Sequence, residues 1–421
     1  MNAFVEGVRD ILPAELRKRR TIYSTIREVF EKNAYREVIT PTLESLELYA
    51  GIEGLVDKSE MFKVVDDKGQ ILVLRPDLTM PIARLAASRF QDSPRPLKFS
   101  YLSSAFQSKN SQSLSLKEKT QAGVELIGSA SMESDLEMLM LLIKTMQALK
   151  IEEPLIDIGH ADLINEIFAD LKLTENQKIE LRKLLAAKNK VGVKNYLKKV
   201  DLSEDAEKVL LRLPVLFGNP KEVVSELEEM PLSEETKEVL ITLEKLFNKL
   251  EDFALLKYIT FDPMLISRHG YYTGLIFKGY AKGYSNLLAS GGRYDNLTEK
   301  FGVEEPAVGF ALEIENLLDY LNRTENFSED EERRFLISYV NDNDLMMAEE
   351  LASDLRGAGF IAEVAQEVSE DYLDFQQIDY HIILKADKLD LIQNTGAEVE
   401  IDRKEKEALE YLILNKIEEW E

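Results

Sequence analysis

The chain has 421 residues, 45% apolar and 31% charged, with 18 Phe and 16 Tyr to pack; two or three domains fit at roughly 150 residues each, and a wholly disordered chain is excluded. It carries 52 Lys and Arg against 77 Asp and Glu, a net charge of −25, so nucleic acid or an anionic membrane could be bound only through a local basic patch. The absence of cysteine excludes disulfide frameworks, Cys zinc sites and thiol catalysis.

Pro13, Ala14 and Glu15 open a first helix, proline in its first turn. Leu16, Ile22, Ile26, Val29 and Phe30 then fall near helical spacing as far as Asn33. Residues 35–40 alternate like a strand before Pro41. Residues 61–65 and 71–74 flank the turn Asp66-Asp67-Lys68-Gly69 as a hairpin. A helix is expected over 78–90, strands over 98–107 and 120–127 joined by a polar loop, and a strong helix over 135–149. From 160 to 255 the chain is rich in Lys, Leu and Glu with almost no strand signal, which reads as an inserted helical module. Within it, residues 171–200 hold nine Lys or Arg and two Glu. A solvated helix face is the plain explanation, a docking patch the sharper one.

Strand character returns at Tyr258, through 271–277 and 286–290. Residues 306–311 lead into a helix ending near Tyr320, and 322–332 is a charged linker. Beyond it strands are expected at 335–340, 360–365 and 380–384, and helices at 344–358 and 404–419. Residues 329–421 contain 26 acidic and 9 basic residues, net −17. The organisation expected is a core of residues 1–159 and 256–321, a helical insertion of 160–255, a linker of 322–332 and a C-terminal α/β domain of 333–421. His160, His269 and His381 are too scattered for a metal site. The N-terminus lacks an apolar signal core and no apolar run reaches membrane-spanning length; a cytoplasmic location is expected.

Several motifs carry a resemblance. Gly7-Val8-Arg9-Asp10-Ile11-Leu12-Pro13 resembles the opening of histidyl-tRNA synthetases. Residues 35–44 resemble class II motif 1, and Leu74-Arg75-Pro76-Asp77-Leu78-Thr79 resembles the family's "LRPEGT" stretch. Residues 121–128 resemble the motif 2 strand, and Tyr271-Tyr272-Thr273-Gly274 the "YYTG" signature. Gly291-Gly292-Arg293-Tyr294-Asp295 and residues 306–311 resemble the approach to motif 3. The motifs run in family order over about residues 4–320. The fold implied is α+β: a class II aminoacyl-tRNA synthetase-like antiparallel sheet core with a helical insertion. The small C-terminal α/β domain resembles a degenerate anticodon-binding domain.

Aminoacyl adenylation depends on positioned cations, and here the resemblance breaks. Gln107 stands at the motif 2 arginine and Asn316 at the motif 3 arginine, with Glu313 where the family keeps glycine. Ser267 aligns with the arginine of "RGLDYYTG", Arg268 lying one residue off. The histidine pocket is better kept. The resemblance implies that Glu125 and Tyr272 face the imidazole nitrogens, that Asp77, Thr79 and Gln121 accept the ammonium, and that Tyr271 lines the pocket. A fossil pocket is the alternative. Arg75 is either structural or ligand-facing, and Arg293 with Asp295 reads as a structural ion pair.

A synthetase-like chain without ATP cations resembles the regulatory subunits of ATP phosphoribosyltransferase. That implies no catalytic residues, no metal and no cofactor of its own. It implies L-histidine as effector, self-association as a homodimer, and assembly with a short-form catalytic subunit, typically as a hetero-octamer, without nucleic acid or membrane. A divergent synthetase or synthetase-like ligase is the alternative, and a tRNA- or protein-binding module is the third reading.

Overall fold

The computed structural model describes residues 6–49, 58–108, 116–169, 171–265, 271–324, 333–366, 368–402 and 409–420. The chain divides into two compact units, Met1–Phe327 and Ser328–Glu421.

In the first unit, α1 (Pro13–Lys32) leads to β1 (Arg36–Glu37), β2 (Leu43–Ser45), β3 (Lys63–Val65) and β4 (Ile71–Leu74). Then come α2 (Thr79–Arg89), β5 (Leu97–Phe106), β6 (Glu118–Ile127), α3 (Met132–Ala148) and β7 (Pro154–His160). Six helices follow: α4 (Ala161–Ala169), α5 (Glu175–Ala186), α6 (Lys190–Leu197), α7 (Glu204–Arg212), α8 (Pro220–Glu228) and α9 (Glu234–Asp252). The unit closes with β8 (Ile259–Phe261), β9 (Leu275–Ala281), β10 (Tyr284–Arg293), β11 (Ala307–Glu313) and α10 (Ile314–Thr324).

Eight strands form the main sheet in the order β1-β5-β6-β11-β10-β9-β7-β8. Its interior pairs are antiparallel, with one parallel pair at each edge. The pleat of β6 decides what each face carries. Ala122, Val124 and Leu126 enter a core with Ile22, Ile26 and Phe30 of α1 and Leu139, Leu142 and Met146 of α3. Phe30 meets Phe310 edge-on at 5.9 Å between ring centroids. Gln121, Gly123 and Glu125 face the other way. There α2 buries Met80, Ile82, Ala83 and Ala86 with Phe99, Tyr101, Ile127 and Tyr294. Buried Arg19 ties α1 to α10 through Glu315 at 3.2 Å, and Glu315 accepts the Thr120 N–H at 3.1 Å. A second, three-stranded sheet has the order β2-β4-β3.

The second unit holds β12 (Arg334–Tyr339), α11 (Leu345–Gly357), β13 (Ile361–Ala365), α12 (Glu370–Gln376), β14 (Tyr380–Leu384), β15 (Lys388–Gln393), β16 (Glu398–Asp402) and α13 (Leu409–Trp420). Its sheet runs β13-β12-β14-β15-β16, parallel among the first three and antiparallel after them. Ala348, Leu351, Ala352 and Leu355 pack α11 onto it. No helix among the described residues is long and apolar enough to cross a membrane.

Several expected elements differ. The strand of 35–40 shrinks to two exposed residues, because Ala34 takes a positive φ before it and Pro41 ends it. Strand β9 begins at Leu275 rather than at 271: the Thr273 N–H donates to the Arg293 carbonyl and the Thr273 hydroxyl accepts from Asp295 N, which holds the two tyrosines in a loop. Strand β10 runs on through Gly291 and Gly292. A Cβ on Gly291 would lie 2.3 Å from the Gly309 carbonyl oxygen, so the strands close only around glycine. Strands β7, β15 and β16 and helix α12 were not expected. Residues 109–115 of the polar loop and 403–408, where the last helix was expected to begin, lie outside the described residues.

Gly309 pairs with Glu125 across β11 and β6, and a Cβ there would lie 1.8 Å from Glu125 Oε2 and 2.4 Å from the Val124 carbonyl oxygen. Gly309→Ala is therefore expected to destabilise the fold by about 3 kcal/mol or more, read as a lowered midpoint in denaturant unfolding.

Candidate functional site

Where the polar face of β6 meets the start of α2 lies a cavity of about 500 Å³, its open mouth included. Asp77, Thr79, Gln121, Glu125, Tyr271 and Tyr272 all line it. Two strands line it by alternation, Gln121 and Glu125 from β6 and Ala311 and Gly309 from β11; Gln121 pairs with Glu313, Gly123 with Ala311 and Glu125 with Gly309. Gly123 is required because a Cβ would stand 2.4 Å from the Tyr101 hydroxyl.

Glu125 is 1% exposed. Its Oε1 accepts from the Thr79 hydroxyl at 2.8 Å and its Oε2 from the Tyr294 hydroxyl at 2.5 Å. Burial pushes its carboxyl up to about 8; the two hydroxyls oppose the shift and nearby Asp77 adds to it. Asp77 precedes α2, and its Oδ1 accepts the Met80 N–H at 2.9 Å. Its Oδ2 is buried with no hydrogen-bond partner. Burial raises Asp77 to about 6, against the pull of those helix N–H groups. Tyr271 and Tyr272 stack at a tilt, 4.7 Å between centroids, and Tyr271 meets Tyr294 edge-on at 5.8 Å. Burial raises both Tyr271 and Tyr272, which stay neutral O–H groups.

Gln121 donates from Nε2 to Glu313 Oε1 at 2.8 Å. Burial raises the Glu313 carboxyl, while Lys119 and this bond lower it. No lysine or arginine lines the cavity among the described residues. Arg75 is 4% exposed and donates to the carbonyls of Ser104 and Thr40 at 2.8 and 2.6 Å, a structural use. Gln107 donates to the Pro76 carbonyl at 3.1 Å and Asn316 to the Leu287 carbonyl at 2.7 Å. Arg293 pairs with Asp135 at 2.8 Å and Asp295 at 3.2 Å, and a Cβ on Gly274 would crowd it. Ser267, Arg268 and His269 lie outside the described residues.

Leu78, Gly309, Phe310 and Ala311 line the cavity as well, and three polar cavity residues were missed: Tyr101, Ser290 and Tyr294. The signal existed. Ser290, Gly292 and Tyr294 alternate along one strand end, and a Cβ on Gly292 would strike the Tyr272 ring. His160 is pushed down to about 4 by burial and by Arg293, and His381 Nε2 bonds Ser338 at 2.8 Å. Among the described residues no group of three or more His, Cys, Asp or Glu is placed to hold a metal. The arrangement offers one unpartnered carboxylate oxygen for a cation, and a second carboxylate poised near neutrality for a group that shares a proton.

The sequence model of the histidyl-tRNA synthetase family matches residues 7–317. The ATP phosphoribosyltransferase regulatory subunit of Caldanaerobacter subterraneus is 35% identical over 359 residues, 85% of this chain and 93% of that protein. That of Acetivibrio thermocellus is 34% identical over 85% of each. A crystal structure of an ATP phosphoribosyltransferase regulatory subunit/histidyl-tRNA synthetase from Bacillus halodurans superposes with a TM-score of 0.82 at 30% identity, over 92% of this chain and all of that one. Histidyl-tRNA synthetase from Nostoc reaches 0.82 at 20% identity over 99% of each chain, which shows the shared class II fold. The chain belongs to the histidyl-tRNA synthetase family and, within it, to the ATP phosphoribosyltransferase regulatory subunits.

Proposed function

We propose that this chain is a non-catalytic subunit that activates a short-form ATP phosphoribosyltransferase and passes histidine feedback inhibition to it through the cavity at Glu125. The observation that carries the reading is the combination of an acceptor-lined cavity with spent positions where adenylation needs cations. Gln107 and Asn316 are committed to backbone carbonyls. Loss of a catalytic arginine is worth about 10³ to 10⁵ in phosphoryl-transfer rate, so two such losses argue against the divergent-synthetase reading. The C-terminal charge of −17 over residues 329–421 disfavours a phosphate backbone.

Histidine would place its ammonium on Asp77 Oδ2, with Thr79 and Gln121 beside it, and its imidazole between Glu125 and Tyr272 over the Tyr271 ring. Bound histidine shifts the subunit between two states that differ at the interface with the catalytic chain. A coupling of about 1–3 kcal/mol suffices for 5- to 150-fold inhibition. The same reading makes residues 160–255 an insertion in the synthetase-like core, places the assembly in the cytosol as a homodimer within a hetero-octamer, and requires no cofactor.

Reconstitution with a short-form catalytic chain tests this. Activity is expected only with both chains, and L-histidine should suppress it; activity that ignores histidine contradicts the proposal. Asp77→Asn should weaken histidine binding about 10- to 100-fold, since a hydrogen bond to a charged group is worth about 1.5–3 kcal/mol. It should relieve inhibition while leaving activation intact.

The pH response has a definite sign. Asp77 and Glu125 both have folded values above their ordinary ones, to about 6 and about 8. Their contribution to stability is full below the unfolded carboxyl range and is lost as pH rises through those values. Melting temperature should therefore fall as pH rises from about 5 to about 8 through Glu125 and level off above that, and Glu125→Gln should flatten that fall. Histidine binding should weaken as pH drops through about 6, where Asp77 loses its charge.

A further inference from the structure

The histidine pocket makes no use of the lysine-rich run in the insertion, and the packing of that run sets it apart from an ordinary solvated helix face. Residues 188–200 hold five lysines and no Asp or Glu, in a chain of net charge −25. Helix α6 buries Val193, Tyr196 and Leu197, and Lys190, Val191, Lys194 and Lys198 are exposed on successive turns of its other side. Like charges four residues apart repel, and solvated helices normally interleave the two signs. Helices α7, α8 and α9 do so. Lys208, Lys237 and Lys249 each pair with an acid three residues away, at 3.3, 2.6 and 3.6 Å, and Arg212 and Lys221 reach Glu226 and Glu251. Among the described residues Lys190, Lys194 and Lys198 have no ion-pair partner.

Apolar residues flank this row. The corner between α5 and α6 is pinned by Lys188, whose ammonium sits 2.8 Å from Asp262 and 4.4 Å from the centroid of the Phe217 ring. Phe217 is 58% exposed and Val191 71%. Exposed apolar side chains beside a set of like charges match the layout of a protein interface, anchors within a polar rim. A nucleic acid fits less well. Residues 188–200 carry no arginine, a short row of lysines neutralises few phosphates, and Lys188 covers the Phe217 face on which a base would stack. We infer that the α5–α6 corner docks an acidic face of a protein partner, with Phe217 and Val191 as anchors and Lys190, Lys194 and Lys198 steering the approach. This rests on the proposed activation of a short-form catalytic chain, which is then the partner.

Surface plasmon resonance between the full chain and the short-form catalytic chain, at about 50 and about 500 mM salt, tests it. The triple variant Lys190→Ala, Lys194→Ala, Lys198→Ala should bind about tenfold more weakly at the lower salt and within about twofold of wild type at the higher, where charge is screened. Phe217→Ser should weaken binding about tenfold at both, since apolar burial is not screened. The lysine variant should unfold at the wild-type temperature or above it, because it relieves repulsion within α6; its loss of binding then reports the face and not the fold. Equal binding by wild type and the triple variant at low salt would overturn the inference and leave the activation reading standing. A triple variant that keeps its hold on the catalytic chain but loses self-association, or loses a salt-dependent shift of tRNA, would also overturn it, because the face then serves a second copy or a nucleic acid. No association of the two wild-type chains at either salt would remove the activation reading and the inference with it.

Discussion

One buried carboxylate organises the functional end of this molecule. Glu125 sits nearly inaccessible on the cavity-facing side of its strand, held by the hydroxyls of Thr79 and Tyr294. Those two partners come from the start of a helix and from the end of a strand far along the chain. A charge there is expensive to bury, and the fold offsets the cost by bringing those hydroxyls to it. Gly309 is the corresponding concession, because no side chain can stand opposite the carboxylate. The geometry that keeps Glu125 in place therefore also shapes the cavity.

The rest of the site reads as a synthetase pocket reassigned. At the positions that the sequence resemblance aligns with the motif 2 and motif 3 arginines, Gln107 and Asn316 are neutral amides bonded to backbone carbonyls. Two arginines nearby are used inside the scaffold: Arg75 on carbonyls, Arg293 on two aspartates. Among the described residues no lysine or arginine lines the cavity, and acceptors remain.

Much of this was legible in the residues. Helix α1 follows from Pro13 and the spacing of Ile22, Ile26, Val29 and Phe30, and the first hairpin follows from its Asp-Asp-Lys-Gly turn. All six pocket residues lay in motifs with a family order, and the structure gathers them around one cavity. What escaped was tertiary. The tyrosines at 271 and 272 sit in an apolar run that reads as strand, yet a backbone bond to Arg293 and the Asp295–Thr273 contact hold them as a loop. Tyr294 and Tyr101 reach the pocket only because neighbouring strands bring them there, which no local pattern encodes. The small strands β15 and β16 alternate short charged and apolar residues between turns, a signal too weak beside the acidic composition around it.

The most direct test of the central claim is a crystal structure of the chain soaked in L-histidine. The account predicts an imidazole between Glu125 and Tyr272 with the amine on Asp77 Oδ2. A nucleotide triphosphate gripped by arginines in that cleft on a parallel soak, or a cleft shut against the free amino acid, would contradict it.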